Sequence, residues 1–172
     1  EKKISDHYFS WGWKDNGFSN IIPMASGKLS RVKKQIKPNP KGSIIWVAYS
    51  WPRYSRIHVS TIIGADQPSY LSDQECFLRS VSTEVHDLLL LRLYREDYGW
   101  GEYERWQDID SSVKCYQGDQ TFYQQLNESR LCICTCNATA YLEAFSANFP
   151  TLLFWDPTKR EVRKSAQPYF DD

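Results

Sequence analysis

Short apolar runs alternate along the chain with segments whose apolar residues recur at helical spacing. Continuous apolar runs rich in β-branched and aromatic residues predict buried strands at residues 43–50, 86–94, 130–135 and 150–155. Helical spacing predicts helices at residues 69–85, 101–109, 119–129 and 138–148. Strands that alternate with helices of this length form βαβ units. The predicted fold class is therefore α/β, a Rossmann-like parallel sheet with helices on both faces.

The remaining segments are less regular. Residues 1–22 predict a short strand and a turn at Gly12, and residues 111–116 predict a weaker strand. Residues 23–42 are rich in Pro, Gly, Lys and Ser, which is typical of a loop or linker. We therefore divide the chain into a connecting segment and linker at residues 1–42 and an α/β domain at residues 43–172. Ser69 or Ser72 is the expected cap of the first long helix, and Asp119 that of the third.

Composition narrows the classes of function. The chain has 172 residues with 21 basic and 21 acidic side chains, and this zero formal charge argues against a nucleic-acid binder. Aromatic residues make up 15% of the chain, and Tyr and Trp often line sugar and nucleotide sites. We find neither a signal peptide nor an apolar run near the roughly 18 residues of a membrane span. The abrupt start and end suggest a piece of a longer protein.

Three of the five cysteines, Cys132, Cys134 and Cys136, alternate along a predicted strand. Such neighbours pair poorly as disulfides, and neither a CxxC spacing nor a following His indicates zinc. We expect free buried thiols in a reducing cytosol, without metal or cofactor. A redox or metal role is the alternative.

Ligands of parallel sheets bind where strand ends lead into loops, and three loops are candidates. The first, residues 49–56, offers Ser50, Arg53, Tyr54 and Arg56. Guanidinium groups bind phosphate or carboxylate in bidentate fashion, so this loop is either an anion site or a solvated turn.

The second loop, residues 92–106, combines arginines, acids and aromatic residues around two glycines. Arg92 ends an apolar strand, where an unpaired charge would be costly. We therefore expect an anionic partner for Arg92, which is either structural, such as Asp97 or Glu104, or a ligand.

The third loop contains Asn137 and Thr139 where a helix begins. One of them could cap the helix, or both could hold an anion over its N-terminus together with the free backbone N–H groups. Glu143 follows and could bind ribose hydroxyls or remain solvated. The chain contains neither GxGxxG nor a P-loop motif.

Several stretches together resemble a known bacterial family. The most specific are N-A-T-x-Y-L-E, the F-S-x-N-x-P-T that follows it, and R-L-Y-x-x-D-Y-G-W; "KISDHYFSWGW", "VAYSWPRY" and "PYFDD" add to them. They resemble a family of surface-carbohydrate transferases, itself similar to GT-B glycosyltransferases such as the Kdo transferases of capsule and O-antigen assembly. The resemblance covers nearly the whole chain.

The resemblance implies that the chain is the C-terminal, nucleotide-sugar-binding domain of a GT-B enzyme together with its connecting segment. An N-terminal domain of the same protein would supply acceptor contacts and the catalytic base, so no catalytic residue is assigned. The donor-binding residues that it implies are Asn137, Thr139 and Glu143 for phosphate and ribose, Arg92, Tyr94, Tyr98, Gly99 and Trp100 beside the donor, and Ser50 and Arg53 for phosphate or a sugar carboxylate.

The activity implied is metal-independent transfer of a sugar, with CMP-Kdo as the first candidate donor, to a saccharide or lipid-linked acceptor. The expected location is cytoplasmic or peripheral to the inner membrane. Two alternatives stay open: an enzyme resembling nucleotide-sugar epimerases, and a nucleotide- or carbohydrate-binding module without activity of its own.

Overall fold

The computed structural model describes residues 2–54, 64–116 and 118–170. In chain order its strands and helices are β1 (Tyr8–Ser10), β2 (Ile21–Pro23), α1 (Gly27–Val32), β3 (Ser43–Val47), α2 (Gln67–Ser80), α3 (Thr83–His86), β4 (Leu89–Arg92), α4 (Glu102–Ile109), α5 (Phe122–Asn127), β5 (Ser129–Cys134), α6 (Thr139–Ser146) and β6 (Thr151–Leu153). Two 3₁₀ turns lie at Gly64–Asp66 and Gln167–Tyr169.

The main sheet is parallel throughout and has the strand order β4-β3-β5-β6. A separate parallel pair joins β1 to β2. Helices cover both faces of the main sheet, so the predicted Rossmann-like α/β fold is confirmed. In the part of the chain that the structure describes, no helix is both long and apolar enough to cross a bilayer.

Alternating side chains of β3 build one hydrophobic core on each face. Ile45 packs with Leu126 of α5 and Ala144 of α6, together with part of α1. Trp46 faces the other way and packs edge-on against Phe77 and Trp106, with ring centroids 5.2 Å apart in both pairs. The Trp46 indole also donates a hydrogen bond of 3.1 Å to Gln74 on α2. The period of two along β3 therefore separates the two cores.

The cysteines of β5 belong to the first of these cores. These are Cys132 and Cys134, and Cys136 follows just after the strand. All three are buried free thiols, as predicted. Burial raises the pKa of Cys136 to about 12, so its thiol stays neutral. Across residues 2–54, 64–116 and 118–170, no cluster of His, Cys, Asp and Glu could hold a metal ion.

The four predicted buried strands and the predicted helices are found, most with shorter bounds, but four local predictions are wrong. Residues 27–32, predicted as loop, form α1, whose Val32 is buried in the core. The first long helix begins at Gln67, after Asp66, rather than near Ser69 or Ser72. Residues 111–116 form only an isolated bridge between Cys115 and Leu91.

The third long helix also begins later than predicted. Thr121 caps α5 in a capping box with Gln124, where Asp119 was predicted. The division between residues 1–42 and 43–172 stays a prediction. Val32 and Ile36 of the first segment pack in the core that contains Ile45.

One backbone contact just before β3 requires glycine. A Cβ on Gly42 would lie 2.0 Å from the carbonyl oxygen of Glu128, at the start of β5. That oxygen accepts a hydrogen bond of 3.2 Å from the backbone N–H of Ser43. The two strands therefore enter the sheet at a distance that only a glycine permits.

We expect Gly42→Ala to lower the free energy of unfolding by about 2–3 kcal/mol, because the backbone must shift to admit the methyl group. Gly27→Ala is the matched control, since its Cβ would meet no atom within 4 Å. It should change stability by less than about 0.5 kcal/mol. Urea unfolding followed by circular dichroism measures both, and equal effects of the two changes would contradict the contact.

Candidate functional site

The three predicted loops follow β3, β4 and β5, whose carboxyl ends lie along one edge of the sheet. The chain leaves β3 for β4 on one side and later returns to place β5 on the other side of β3. The strand order therefore reverses between β3 and β5, and ligands of such sheets bind in the crevice at this point.

Tyr70 of α2 fills the base of this crevice. Its hydroxyl accepts a hydrogen bond of 2.8 Å from the backbone N–H of Tyr49 and lies 2.6 Å from Oγ1 of Thr135. Thr135 in turn donates to the carbonyl oxygen of Val47 at 3.1 Å, so Tyr70 is the donor to Thr135. Burial raises the pKa of Tyr70, which keeps its hydroxyl neutral and able to donate.

The structure brings together residues of the first two predicted loops. The Trp100 indole donates a hydrogen bond of 2.8 Å to the carbonyl oxygen of Trp51. The guanidinium of Arg53 lies 4.5 Å from the centre of the Trp100 ring, which is a cation–π contact. Arg56, predicted in the first loop, lies outside the described residues.

Tyrosines continue this aromatic surface. The rings of Tyr94 and Tyr98 lie 5.8 Å apart, and Tyr94 meets Tyr49 edge-on at 5.8 Å. Tyr94 is 43% exposed, so it is available for contact with a ligand. These aromatic side chains and Arg53 join the loops after β3 and β4 into one surface.

Asp97 holds the turn before α4. One of its carboxylate oxygens accepts hydrogen bonds from the backbone N–H groups of Gly99, Trp100 and Gly101 at 3.0–3.3 Å. Gly99 and Gly101 have φ angles of +80° and +58°, which explains the glycines. Asp97 therefore stabilises the turn and is not the partner of Arg92.

Arg92, the last residue of β4, has only neutral partners among the described residues. Its guanidinium donates to the side chain of Gln125 and, at 3.4 Å, to the carbonyl oxygen of Gln120, and lies 5.8 Å from the Tyr116 ring. Burial lowers the pKa of Arg92. The structural anionic partner that we expected, Asp97 or Glu104, is thus not found. Arg92 lines a cavity of about 830 Å³ together with Tyr94 and other residues.

The third loop leaves the N-terminus of α6 open. Asn137 and Thr139 are both exposed, and the N-cap position is Ala138, without a side-chain hydrogen bond to the helix. The capping role considered for Asn137 or Thr139 is therefore wrong, and Asn137 instead accepts a hydrogen bond of 2.9 Å from the Tyr141 hydroxyl. The first-turn N–H groups of α6 have no side-chain cap.

Glu143 lies in a different environment from the other predicted site residues. It is buried in the second turn of α6 and forms an ion pair with Lys28 of α1. This pair raises the pKa of Lys28, and Tyr123 adds to the effect. The structure thus gives Glu143 partners within the protein and places it on the side of α6 that faces α1.

Sequence reasoning missed Glu102, a buried carboxyl group at the start of α4. It accepts a hydrogen bond of 3.1 Å from Gln67, whose amide also donates to the carbonyl oxygen of Tyr49 at 3.3 Å. Burial raises the pKa of Glu102, while Ser50 and Gln67 oppose the shift. The hydroxyl of Ser50, a predicted site residue, is itself buried and makes no hydrogen bond of good geometry with the described residues. An acid in a first helical turn is common, so no pattern marked Glu102.

Arg160, in the segment after β6, was also missed. Its side chain is 3% exposed and its guanidinium lies over the rings of Tyr49 and Tyr70 at the crevice. No periodic pattern surrounds it in the sequence, so only the fold reveals its position.

The fold and the site define an α/β protein whose parallel sheet presents arginines, aromatic rings and an open helix N-terminus along its carboxyl edge. The sequence profile described as LIC12162 family transferase matches residues 1–172, so the chain belongs to this family of transferases. No curated protein and no solved structure matches the chain.

The buried carboxyl group of Glu102 predicts a pH dependence of stability. A raised pKa means that the folded state holds the proton more tightly, so this contribution is present at low pH and is lost as the pH rises above the ordinary value of 4.5. We expect Glu102→Gln to gain stability relative to the native protein as the pH rises from 4.5 through the raised pKa of Glu102. Urea unfolding across this range measures the difference.

The control for this prediction is Glu161→Gln at an exposed position. Because this position is exposed, the substitution should change the free energy of unfolding by less than about 0.5 kcal/mol throughout the series. A constant difference for Glu102→Gln as well would show that burial does not perturb this carboxyl group.

Proposed function

We propose that this transferase is a glycosyltransferase and that the chain is its donor domain, which binds a nucleotide-sugar for transfer to a surface polysaccharide. The observation that carries the proposal is Arg92, a half-buried arginine at the carboxyl end of β4 without a carboxylate partner among the described residues. A cation held in this way is suited to a phosphate or a sugar carboxylate.

The surroundings of Arg92 support a ligand that has both rings and charge. The cavity of about 830 Å³ that it lines also contains Tyr94, Arg95, Tyr103 and Tyr116. A volume of this size accommodates a nucleotide-sugar. Tyrosine rings offer flat apolar faces to a base or sugar, and the two arginines offer charge to its phosphate.

The open N-terminus of α6 supports a second contact with phosphate. The N–H groups of its first turn lack a side-chain cap, and the helix dipole favours an anion there. Asn137 and Thr139, both exposed beside this end, would complete the contact. Ser50 and Arg53 would contact the phosphate or a sugar carboxylate from the loop after β3. Glu143 is paired with Lys28, so the proposal gives it no ligand.

In the proposed reaction an acceptor hydroxyl forms a bond to the anomeric carbon as the bond from that carbon to the nucleotide phosphate breaks. The proton of the hydroxyl passes to a base, and the nucleotide leaves with the electron pair. Arg92 and the α6 N-terminus would stabilise the charge of the leaving phosphate without a metal. By the family resemblance, CMP-Kdo is the first candidate donor, and an N-terminal domain would supply the base and bind a saccharide or lipid-linked acceptor.

Calorimetric titration with CMP, UDP, GDP and ADP tests the donor site. We expect one nucleotide to bind, and Arg92→Met to weaken it roughly 10- to 100-fold, as for the loss of a hydrogen bond to a charged group. Methionine keeps the apolar stem of the side chain and removes its charge.

Arg79→Met is the matched control, because Arg79 is exposed on α2 and pairs with Glu75 one turn earlier. It should leave nucleotide affinity unchanged, and circular dichroism should show both variants folded. Equal affinity for Arg92→Met and the native protein would remove Arg92 from the donor site. The absence of binding by all four nucleotides would argue against a nucleotide-sugar donor.

A further inference from the structure

Arg160 is a buried cation that the donor site proposed above does not use. Its side chain is 3% exposed, yet both terminal nitrogens of the guanidinium lack a hydrogen-bond partner in the described part of the chain. Arginine remains charged in proteins, and a buried charge without acceptors is strongly unfavourable. Such a group points to an anion that supplies the missing acceptors.

The neighbours of Arg160 hold it in place without neutralising it. Its guanidinium carbon lies 5.6 Å from the ring centre of Tyr49 and 5.9 Å from that of Tyr70. Burial lowers the pKa of Arg160, and burial also keeps the nearby thiol of Cys136 uncharged by raising its pKa to about 12. Aromatic faces stabilise a cation only in part.

The carboxylate with a resolved electrostatic effect on Arg160 is paired with another residue. Among the described residues, the carboxylate that influences the pKa of Arg160 is Asp66, and its effect is the smallest of those resolved. Asp66 forms an ion pair with Lys159 at 3.0 Å. The charge of Arg160 is therefore not balanced by Asp66.

Two cavities border Arg160, and their charges differ. One, of about 330 Å³, is lined by Asp66, Asp73 and Asp156, and its acids outnumber Lys159 and Arg160, so it disfavours an anion. The other, of about 610 Å³, contains Lys164 and the rings of Trp155 and Phe170, with Glu161 as its acid. The larger cavity is therefore the favourable side for an anion with an attached ring system.

We propose that Arg160 is an anion-binding residue at the crevice between β3 and β5 and receives a phosphoryl group from the 610 Å³ cavity. The two free terminal nitrogens match two phosphoryl oxygens in a bidentate contact. They are closed to bulk solvent, so an anion reaches them from the cavity that Arg160 lines. The phosphoryl group comes from a nucleotide, which rests on the proposed function, or from free phosphate.

Thermal unfolding in increasing inorganic phosphate, with sodium chloride holding the ionic strength constant, tests the site. We expect phosphate to raise the melting temperature of the native protein and not that of Arg160→Met. Without phosphate, Arg160→Met should melt above the native protein, because methionine removes the unpaired buried charge. A purely structural arginine would give the opposite result, a lower melting temperature.

Arg163→Met is the control, since Arg163 is exposed three residues further along the same segment. It should keep the phosphate response of the native protein. An equal phosphate response in Arg160→Met, or none in the native protein, would overturn the proposal. If Arg160→Met does not fold, calorimetric titration of Arg160→Lys with phosphate decides, with a roughly tenfold loss of affinity expected because lysine lacks the bidentate fork.

Nucleotide titrations of the same variants separate this inference from the proposed function. Weaker nucleotide binding by Arg160→Met would assign the phosphoryl group to the donor. A phosphate response that depends on Arg160, without binding of any nucleotide, would support the anion site and argue against the donor function. Nucleotide binding that is unchanged in Arg160→Met, with no phosphate response, would leave the donor function and refute the role of Arg160.

Discussion

The structure depends on β3 being hydrogen-bonded on both sides, to β4 and to β5. The four apolar residues of β3 are divided between the two cores, with Ile45 and Val47 on one face and Ile44 and Trp46 on the other. A slip of one residue would exchange the faces and bury the wrong side chains. The same register fixes where β3 ends, and so places Tyr49 and Ser50 at the crevice.

One chain of hydrogen bonds joins this register to the helices. The Tyr70 hydroxyl connects the backbone of Tyr49 to Thr135, and Thr135 reaches the carbonyl oxygen of Val47. The ends of β3 and β5 are thus tied together through a residue of α2. Every group in this series of hydrogen bonds is neutral and paired. The base of the crevice is therefore closed and stable.

The strands could be predicted because buried parallel strands are continuous apolar runs, as in residues 43–50 and 130–135. The first residue of each helix was harder to predict than the strands, because several polar residues near it could serve as the cap. Thr121 caps α5 because Gln124 completes a capping box, whereas Asp119 lies two residues too early. In α1, Lys and Ser between apolar positions concealed a helix that tertiary contacts stabilise.

Part of the candidate site could also be predicted, because its residues follow the predicted strands. Arg53, Tyr94, Tyr98 and Trp100 follow strand ends, and topology alone brings their loops together. The first residues of α2 and α4 lie together at this edge, which brings Gln67 and Glu102 close to Ser50. The sequence pattern of a single segment cannot predict such a contact. Arg160 reaches the crevice from the far end of the chain, so its role depends wholly on tertiary structure.

Arg92, Glu102 and Arg160 share one physical property. Each is partly or fully buried and lacks an ion-pair partner among the described residues, and burial shifts the pKa of each against its charged form. Apolar replacements at such positions often increase stability. The three groups surround the carboxyl edge of one sheet, whereas Lys28 and Arg79 are paired with acids, as is Lys159 beside Arg160. These three unpaired groups therefore lie near the edge at which parallel sheets commonly bind ligands, and this arrangement supports the proposed site.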